Sequence, residues 1–110
     1  MTSETMVVLT TCGNDADAGA LAQALVERRL AACVNAVSQV ASTYRWKGKV
    51  EREKETLLII KTTASRLPSL ERALRELSKY EVPEVIALPV RGGGADYLAW
   101  VAESVADPKD

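Results

Sequence analysis

The chain of 110 residues contains no histidine and no phenylalanine, and it has only two cysteines. Histidine is the most frequent general base and the most frequent transition-metal ligand in proteins, so the commonest catalytic and metal sites are disfavoured. Cys12 and Cys33 lie outside any C-x-x-C motif, which disfavours a redox or metallochaperone dithiol. We expect both thiols to be reduced, with Cys33 a small buried apolar side chain. Without a paired acid and base or a cofactor loop, we predict that the chain is not an enzyme.

A strong charge of either sign is also missing. The 14 Lys and Arg residues nearly balance the 15 Asp and Glu residues, so no general field favours nucleic acid or an anionic membrane. No apolar stretch approaches the roughly 18 residues of a membrane span. The N-terminal sequence lacks the basic start and apolar run of a secretory signal. We therefore expect one domain over residues 1–110, cytoplasmic, with neither a nucleic-acid nor a membrane partner.

The hydrophobic periodicity predicts the element order β-α-β-β-α-β-α. A stripe at helical spacing defines the first helix, and it comprises Ala18, Leu21, Ala22, Leu25 and Val26. The expected strands are 6–11, 31–46, 50–62 and 84–90. The first helix is expected from a cap at Asn14 or Asp15 to residue 30, the second from a cap at Ser65 or Ser69 to near Tyr80, and a last helix carries Leu98, Val101 and Val105. The fold class is therefore α+β, a ferredoxin-like βαββαβ antiparallel sheet with two helices on one face and an additional C-terminal helix.

Polar residues, two arginines and a proline mark the predicted ends of the helices. The expected helix caps are Asn14 or Asp15 for the first helix, Ser65 or Ser69 for the second, and Asp96 for the third. Arg28 and Arg29 are expected in the last turn of the first helix, where cations suit the dipole. Pro68 fits only the first turn of the second helix.

The central hairpin carries the longest strands. Val34, Val40, Tyr44 and Trp46 all occupy even positions, which predicts one long strand with period two. Lys47-Gly48 predicts a tight hairpin tip. The return strand is apolar at every position from Leu57 to Ile60, so both of its faces need cover. Because one pair of helices covers only one face of a small sheet, we predict oligomerisation.

Three carboxylates alternate along that return strand. Glu51, Glu53 and Glu55 project from one face, where carboxylate oxygens suit a hard cation or a basic partner. The alternative is a solvated face, or salt bridges to Arg52 and Lys54 of a neighbouring chain. Cys12, at a strand end, is a further metal candidate.

Other proteins with this predicted topology fit less well. An RNA-binding domain needs aromatic side chains on its central strands, and the chain has three Tyr and two Trp in all. The run Gly92-Gly93-Gly94 lacks the following Lys-Ser or Lys-Thr of a phosphate loop.

Five sequence blocks together resemble the CutA family. They are LAQALVERRLAACVN, STYRWKGKVE, ETLLIIKT, YEVPEVIALPV and YLAWV, and they run in order through nearly the whole chain. The resemblance implies a homotrimer with a role in tolerance of copper and other divalent cations, and no catalytic activity. Family members often carry histidine just before the Tyr-x-x-Pro-Glu block, where this chain has Leu77-Ser78-Lys79. A family-type copper site would therefore lack its nitrogen ligands here.

The matched positions also suggest a ligand cleft between subunits. The residues implicated are Lys61, Tyr80 and Glu84, with Tyr44 and Trp46 contributed by the adjoining subunit. Trimer packing alone is the alternative for these positions. The chain is also similar in architecture to trimeric PII-type signalling proteins, which leaves open a regulatory or scaffolding role that binds a small anionic ligand or a partner protein.

Overall fold

The computed structural model describes residues 4–107 and has the predicted order of elements. The elements are β1 (Thr5–Cys12), α1 (Asp15–Glu27), β2 (Cys33–Trp46), β3 (Lys49–Thr63), a short 3-10 helix (Ala64–Arg66), α2 (Leu67–Leu77), β4 (Ile86–Pro89) and α3 (Ala95–Ser104). The four strands form one antiparallel sheet in the order β2-β3-β1-β4. The fold is therefore α+β. No helix within residues 4–107 combines the length and apolar character that a membrane span requires.

The hydrophobic core lies on one face of the sheet, which we call the first face. Val8 of β1 is paired with Ile60 of β3, so both side chains project from the same side. They are fully buried together with Leu25 of α1 and Leu74 of α2. Helices α1 and α2 therefore cover the first face, as the sequence predicts.

The ends of α1 differ in part from the sequence-based expectation. Asn14 caps the helix as predicted, because its side chain accepts a 2.8 Å hydrogen bond from the backbone N–H of Asp17. The helix ends at Glu27, so the placement of Arg28 and Arg29 in its last turn is wrong. Arg29 takes a left-handed φ of 58°, and the N–H of Leu30 bonds to the carbonyl of Leu25 at 2.9 Å. This closing turn is a Schellman motif.

One member of the predicted α1 stripe also points outward. Ala18, Leu21 and Leu25 are buried, whereas Val26 is 44% exposed. A residue next to a core position is rotated by about 100° around the helix, so Val26 lies beyond the edge of the buried stripe.

The predicted caps of the other two helices are wrong. Helix α2 begins after the 3-10 helix without a side-chain cap, although Pro68 does lie in its first turn. The N-cap of helix α3 is Gly94, and Asp96 is the second residue of the helix, within its first turn. The end of α2 at Leu77 comes earlier than expected, because Ser78 is extended.

A bulge in β2 reverses the alternation of that strand. Val37 pairs with Leu57, but Val40 pairs with Glu55, so one extra residue lies between them. Gln39 within the bulge has a left-handed φ of 62°. The even positions of β2 therefore do not share a face. Val34 projects toward the first face, while Tyr44 projects from the opposite, second face.

The second face is apolar in its centre, which confirms that the run from Leu57 to Ile60 is apolar on both sides. Leu58 and Ile60 are fully buried on the first face. Leu57 and Ile59 lie half-buried on the second face. Helix α3 packs against β1 and β3, and its Tyr97 lies near Cys33, at the end of the second face where β2 begins. The rest of that face is left open in the single chain.

Candidate functional site

The hairpin of β2 and β3 extends beyond the end of β1. Cys12, the last residue of β1, pairs with Thr56, so among residues 4–107 no third strand lies beside the hairpin from Val40 to Glu55. The Lys47-Gly48 tip has left-handed φ values of 50° and 82°, as the predicted two-residue turn requires. The chain that follows α2 returns alongside this hairpin, and Lys47 lies 3.7 Å from Glu81.

A cleft of about 630 Å³ lies between the overhanging hairpin and that returning segment. We call it the hairpin cleft. Its lining comprises Thr11, Ser42, Thr43, Tyr44, Trp46, Glu53, Glu55, Lys79, Tyr80, Glu81, Val82 and Glu84. Aromatic rings and carboxylates thus make up most of its functional groups.

The first phenol–carboxylate pair lies on the hairpin itself. Tyr44 donates a 2.5 Å hydrogen bond to Oε1 of Glu53, and the two residues come from adjacent strands on the second face. This hydrogen bond, with smaller contributions from partial burial and the charge of Glu53, raises the pKa of Tyr44 to about 12. The phenol is therefore a fixed proton donor at neutral pH, and it orients the carboxylate.

The second pair joins the hairpin to the returning segment. Tyr80 donates a 2.6 Å hydrogen bond to Oε2 of Glu55. Burial is the largest cause that raises the pKa of Tyr80, followed by the hydrogen bond to Glu55. Glu55 is only 9% exposed, so this hydrogen bond satisfies a carboxylate that water scarcely reaches.

The bulge that brings Tyr44 and Trp46 to the cleft is fastened to α1. The carboxylate of Asp15 accepts hydrogen bonds from Ser38 in the bulge at 2.9 Å and from Thr56 of β3 at 2.6 Å. These hydrogen bonds, that from Thr56 first, lower the pKa of Asp15. Sequence reasoning considered Asp15 only as a helix cap and missed Ser38 and Thr56. The signal available was the pair of consecutive polar residues, Ser38-Gln39, inside an apolar strand.

Most of the predicted ligand residues meet in the hairpin cleft. Tyr44, Trp46, Tyr80 and Glu84 line it together within a single chain. Glu51 lies opposite Tyr44 on the same strand face, one step beyond the lining. Lys61 does not line the cleft. It lies six residues beyond Glu55 along β3 and donates a hydrogen bond to Asn35.

The two cysteines lie apart from the carboxylates. Cys12 is buried on the first face, where burial raises the pKa of its thiol, beside a separate cavity of about 180 Å³ between α1 and the segment that follows α2. An ion pair of 2.9 Å between Lys79 and Asp17 lies at that cavity. Cys33 is half-buried, so the expectation of a buried side chain is wrong; α3 covers this edge of the sheet only partly. Residues 4–107 contain no group of three or more His, Cys, Asp or Glu side chains suited to hold a metal ion.

The chain matches a known family over almost its entire length. The family model of the CutA1 divalent ion tolerance protein matches residues 6–104. The human protein CutA is 51% identical over 100 residues, which cover 88% of this chain and 56% of that protein. The chain thus spans little more than half of the human relative's length.

A bacterial relative and the solved structures agree with this match. The divalent-cation tolerance protein CutA of Thermus thermophilus is 46% identical over 98 residues, covering 89% of this chain and 95% of that protein. Its structure is similar with a TM-score of 0.88, at 45% identity, 91% coverage of this chain and 97% of that chain. CutA from Xylella fastidiosa has a TM-score of 0.91 at 36% identity, with coverage of 94% and 100%. The chain therefore belongs to the CutA1 divalent ion tolerance family.

Proposed function

We propose that this chain contributes to divalent-cation tolerance as a non-enzymatic, cytoplasmic homotrimer of ferredoxin-like subunits. The names of the relatives support the general role. The strand order β2-β3-β1-β4, with α1 and α2 on one face, supports the ferredoxin-like assignment. The exposed apolar centre of the second face supports the trimer.

The observation that carries the proposal is the pair of oriented carboxylates in the hairpin cleft. Glu53 and Glu55 line the cleft, and each accepts a hydrogen bond from a tyrosine at one oxygen, so both carboxylates are held in a fixed orientation for a cation that enters the cleft. Neighbouring carboxylates on one strand face are about 7 Å apart, so an ion bound there would take one or two of them and keep part of its water shell.

Copper is the ion that the family resemblance implies. Cu(I) prefers thiolates and Cu(II) prefers mixed nitrogen and oxygen ligands, whereas carboxylate oxygens alone suit harder ions such as Mg²⁺. Cys12 is buried on the opposite face of the sheet with a raised thiol pKa. We therefore assign the ion to Glu53 and Glu55 rather than to the thiol. Glu51 lies outside the cleft lining on the same strand face and adds negative charge near the ion. The same carboxylates disfavour the small anionic ligand of the alternative prediction, and Lys61 lies elsewhere.

Titration calorimetry with CuCl₂ and with MgCl₂ tests this assignment. We expect saturable binding that the double substitution Glu53→Gln and Glu55→Gln weakens by about tenfold or more, because charge-assisted contacts are lost. Cys12→Ser and Glu76→Gln, an exposed change on α2, should leave the affinity unchanged. Absence of saturable binding by either ion would contradict direct cation binding, and loss of binding in Cys12→Ser alone would move the site to the thiol.

A further inference from the structure

The hairpin cleft is larger and more aromatic than an inorganic cation requires. We propose that it binds a linear organic dication, an alkyl diamine or polyamine whose ammonium groups pair with Glu53 and Glu55. This inference goes beyond the tolerance role and holds whether or not a metal ion binds.

The size and lining of the cleft are the first support. Its volume of about 630 Å³ lies in the range of small-molecule sites, while a metal ion occupies the space between a few oxygens about 2–2.6 Å from it. Trp46, Tyr44 and Tyr80 supply ring surface for an alkyl chain and π faces for a cation. The cleft therefore offers apolar and anionic contacts to one ligand.

The spacing of the charges is the second support. Glu53 and Glu55 lie two residues apart on one strand, and side chains at that separation are about 7 Å apart. The ammonium groups of a four- or five-carbon diamine are separated by a similar distance. Tyr44 and Tyr80 are neutral donors to these carboxylates, and within residues 4–107 no lysine or arginine forms an ion pair with either one. Lys79 also lines the cleft, but its ammonium group pairs with Asp17 at 2.9 Å. A dication would therefore find two carboxylates that no described ion pair neutralises.

The third support is an alkylammonium group that the chain itself places at the mouth of the cleft. The Nζ atom of Lys47 lies 5.5 Å from the ring centroid of Trp46 and 3.7 Å from a carboxylate oxygen of Glu81. Both of these partners line the cleft. The same pair of groups, a ring face and a carboxylate, would receive the free end of a longer polyamine. Lys47 consequently competes with such a ligand.

Titration calorimetry with 1,5-diaminopentane at low ionic strength tests the proposal. We expect saturable binding, about tenfold weaker binding of 1-aminopentane, which lacks one charge, and no binding of neutral 1,5-pentanediol. MgCl₂ is titrated separately, because Mg²⁺ carries two positive charges without an alkyl chain. Equal binding of the diamine and the diol would overturn the proposal.

Substitutions locate the site. Glu55→Gln and Trp46→Leu should each weaken diamine binding, whereas Lys47→Gln should strengthen it about threefold by removing the internal competitor. The matched control is Lys54→Gln, which changes the net charge equally from the other side of the hairpin. Lys47 and Lys54 are both exposed, so these two variants should retain the fold. Identical affinities in the two lysine variants would contradict the proposed position.

The two proposals fail separately. Binding of CuCl₂ or MgCl₂ without binding of the diamine would overturn the organic-cation inference and leave the tolerance proposal standing. Binding of the diamine without either metal ion would support the inference and contradict direct metal binding.

Discussion

Two tyrosines set the chemistry of the cleft at the scale of single residues. A phenol that donates to a carboxylate resists ionisation, because the phenolate would lose the hydrogen bond and meet a like charge. This effect raises the pKa of Tyr44 to about 12. The raised pKa favours the folded, protonated form at neutral pH. The benefit is lost only as the pH rises through that folded-state value.

Replacing the carboxylate partner should release the phenol. In Glu53→Gln, we expect the pKa of Tyr44 to fall toward its ordinary value of 10.0, because the hydrogen bond to Glu53 is the largest cause of the shift. The ultraviolet absorbance of tyrosinate measures the change in an alkaline titration. The Tyr44→Phe variant identifies which step of the curve belongs to this residue, and Glu4→Gln provides a carboxylate change outside the hairpin. An unchanged Tyr44 step in Glu53→Gln would contradict this cause.

The bulge in β2 is the decisive feature at the scale of elements. Without the extra residue, Tyr44 and Trp46 would project from the first face, away from Glu53 and Glu55. The left-handed Gln39 and the hydrogen bond from Ser38 to Asp15 fix the bulge. Asp15, at the start of α1, therefore helps to determine which side chains of β2 beyond the bulge reach the cleft.

The link to Asp15 should make stability depend on acid pH. Its pKa is lowered in the folded chain, so its contribution is present above the ordinary value of 3.8 and is lost as the pH falls through the folded-state value. Urea unfolding at neutral and acid pH should show a smaller acid loss in Asp15→Asn than in the unsubstituted chain. Asp96→Asn, in the first turn of α3, is the matched control and should retain the acid loss. Equal acid losses in both variants would contradict the role of Asp15.

Local sequence patterns predict which helices and strands form better than they predict which face of the sheet a side chain occupies or where a helix begins. The two-residue hairpin tip and the doubly apolar part of β3 are local signals and are confirmed, as is the stripe of α1 except at Val26. The face of Tyr44 was not predictable from alternation, because the extra residue depends on Asp15, 23 residues away from Ser38 in the chain. The predicted caps of α2 and α3 fail because α2 continues from a 3-10 helix and α3 begins after Gly94, and neither N-cap residue makes a side-chain capping hydrogen bond.

The residues that line the cleft are more predictable from the sequence than the contacts between them. The family resemblance groups Tyr44, Trp46, Tyr80 and Glu84 in a cleft between subunits, whereas in the single chain these four residues line one cleft of the same subunit. It also grouped Lys61 with them, although strand length separates Lys61 from the cleft. The phenol–carboxylate pairs depend on how the segment after α2 returns along the hairpin, which no local pattern specifies.

The second face matters most at the scale of the whole molecule. The chain measures 46 × 26 × 22 Å, and the 14 residues of β2, at about 3.3 Å each, account for the long dimension. Along this face Val37 is 43%, Ile86 48% and Leu88 46% exposed. Val37 lies on β2 and the other two on β4, so exposed apolar side chains stand at both edges of this face and mark a surface suited to further copies of the chain.

Light scattering tests the assembly. We expect a mass about three times the 11.9 kDa of the chain, and we expect Leu88→Glu to lower that mass toward one chain by burying a charge in the interface. Val26→Glu is the matched control, because Val26 is similarly exposed but lies on α1. A single-chain mass for the unsubstituted protein, or equal dissociation of both variants, would contradict the trimer.

The overhang of β3 has a consequence for solubility. Beyond the end of β1, one edge of the strand from Lys49 to Glu55 has no neighbouring strand in the described chain, and free edges recruit strands from other molecules into aggregates. Every residue from Glu51 to Glu55 is charged, with alternating sign, so an antiparallel pairing of two copies centred on Glu53 would bring like charges together. The carboxylates that give the cleft its charge therefore also disfavour edge-to-edge pairing of the exposed strand.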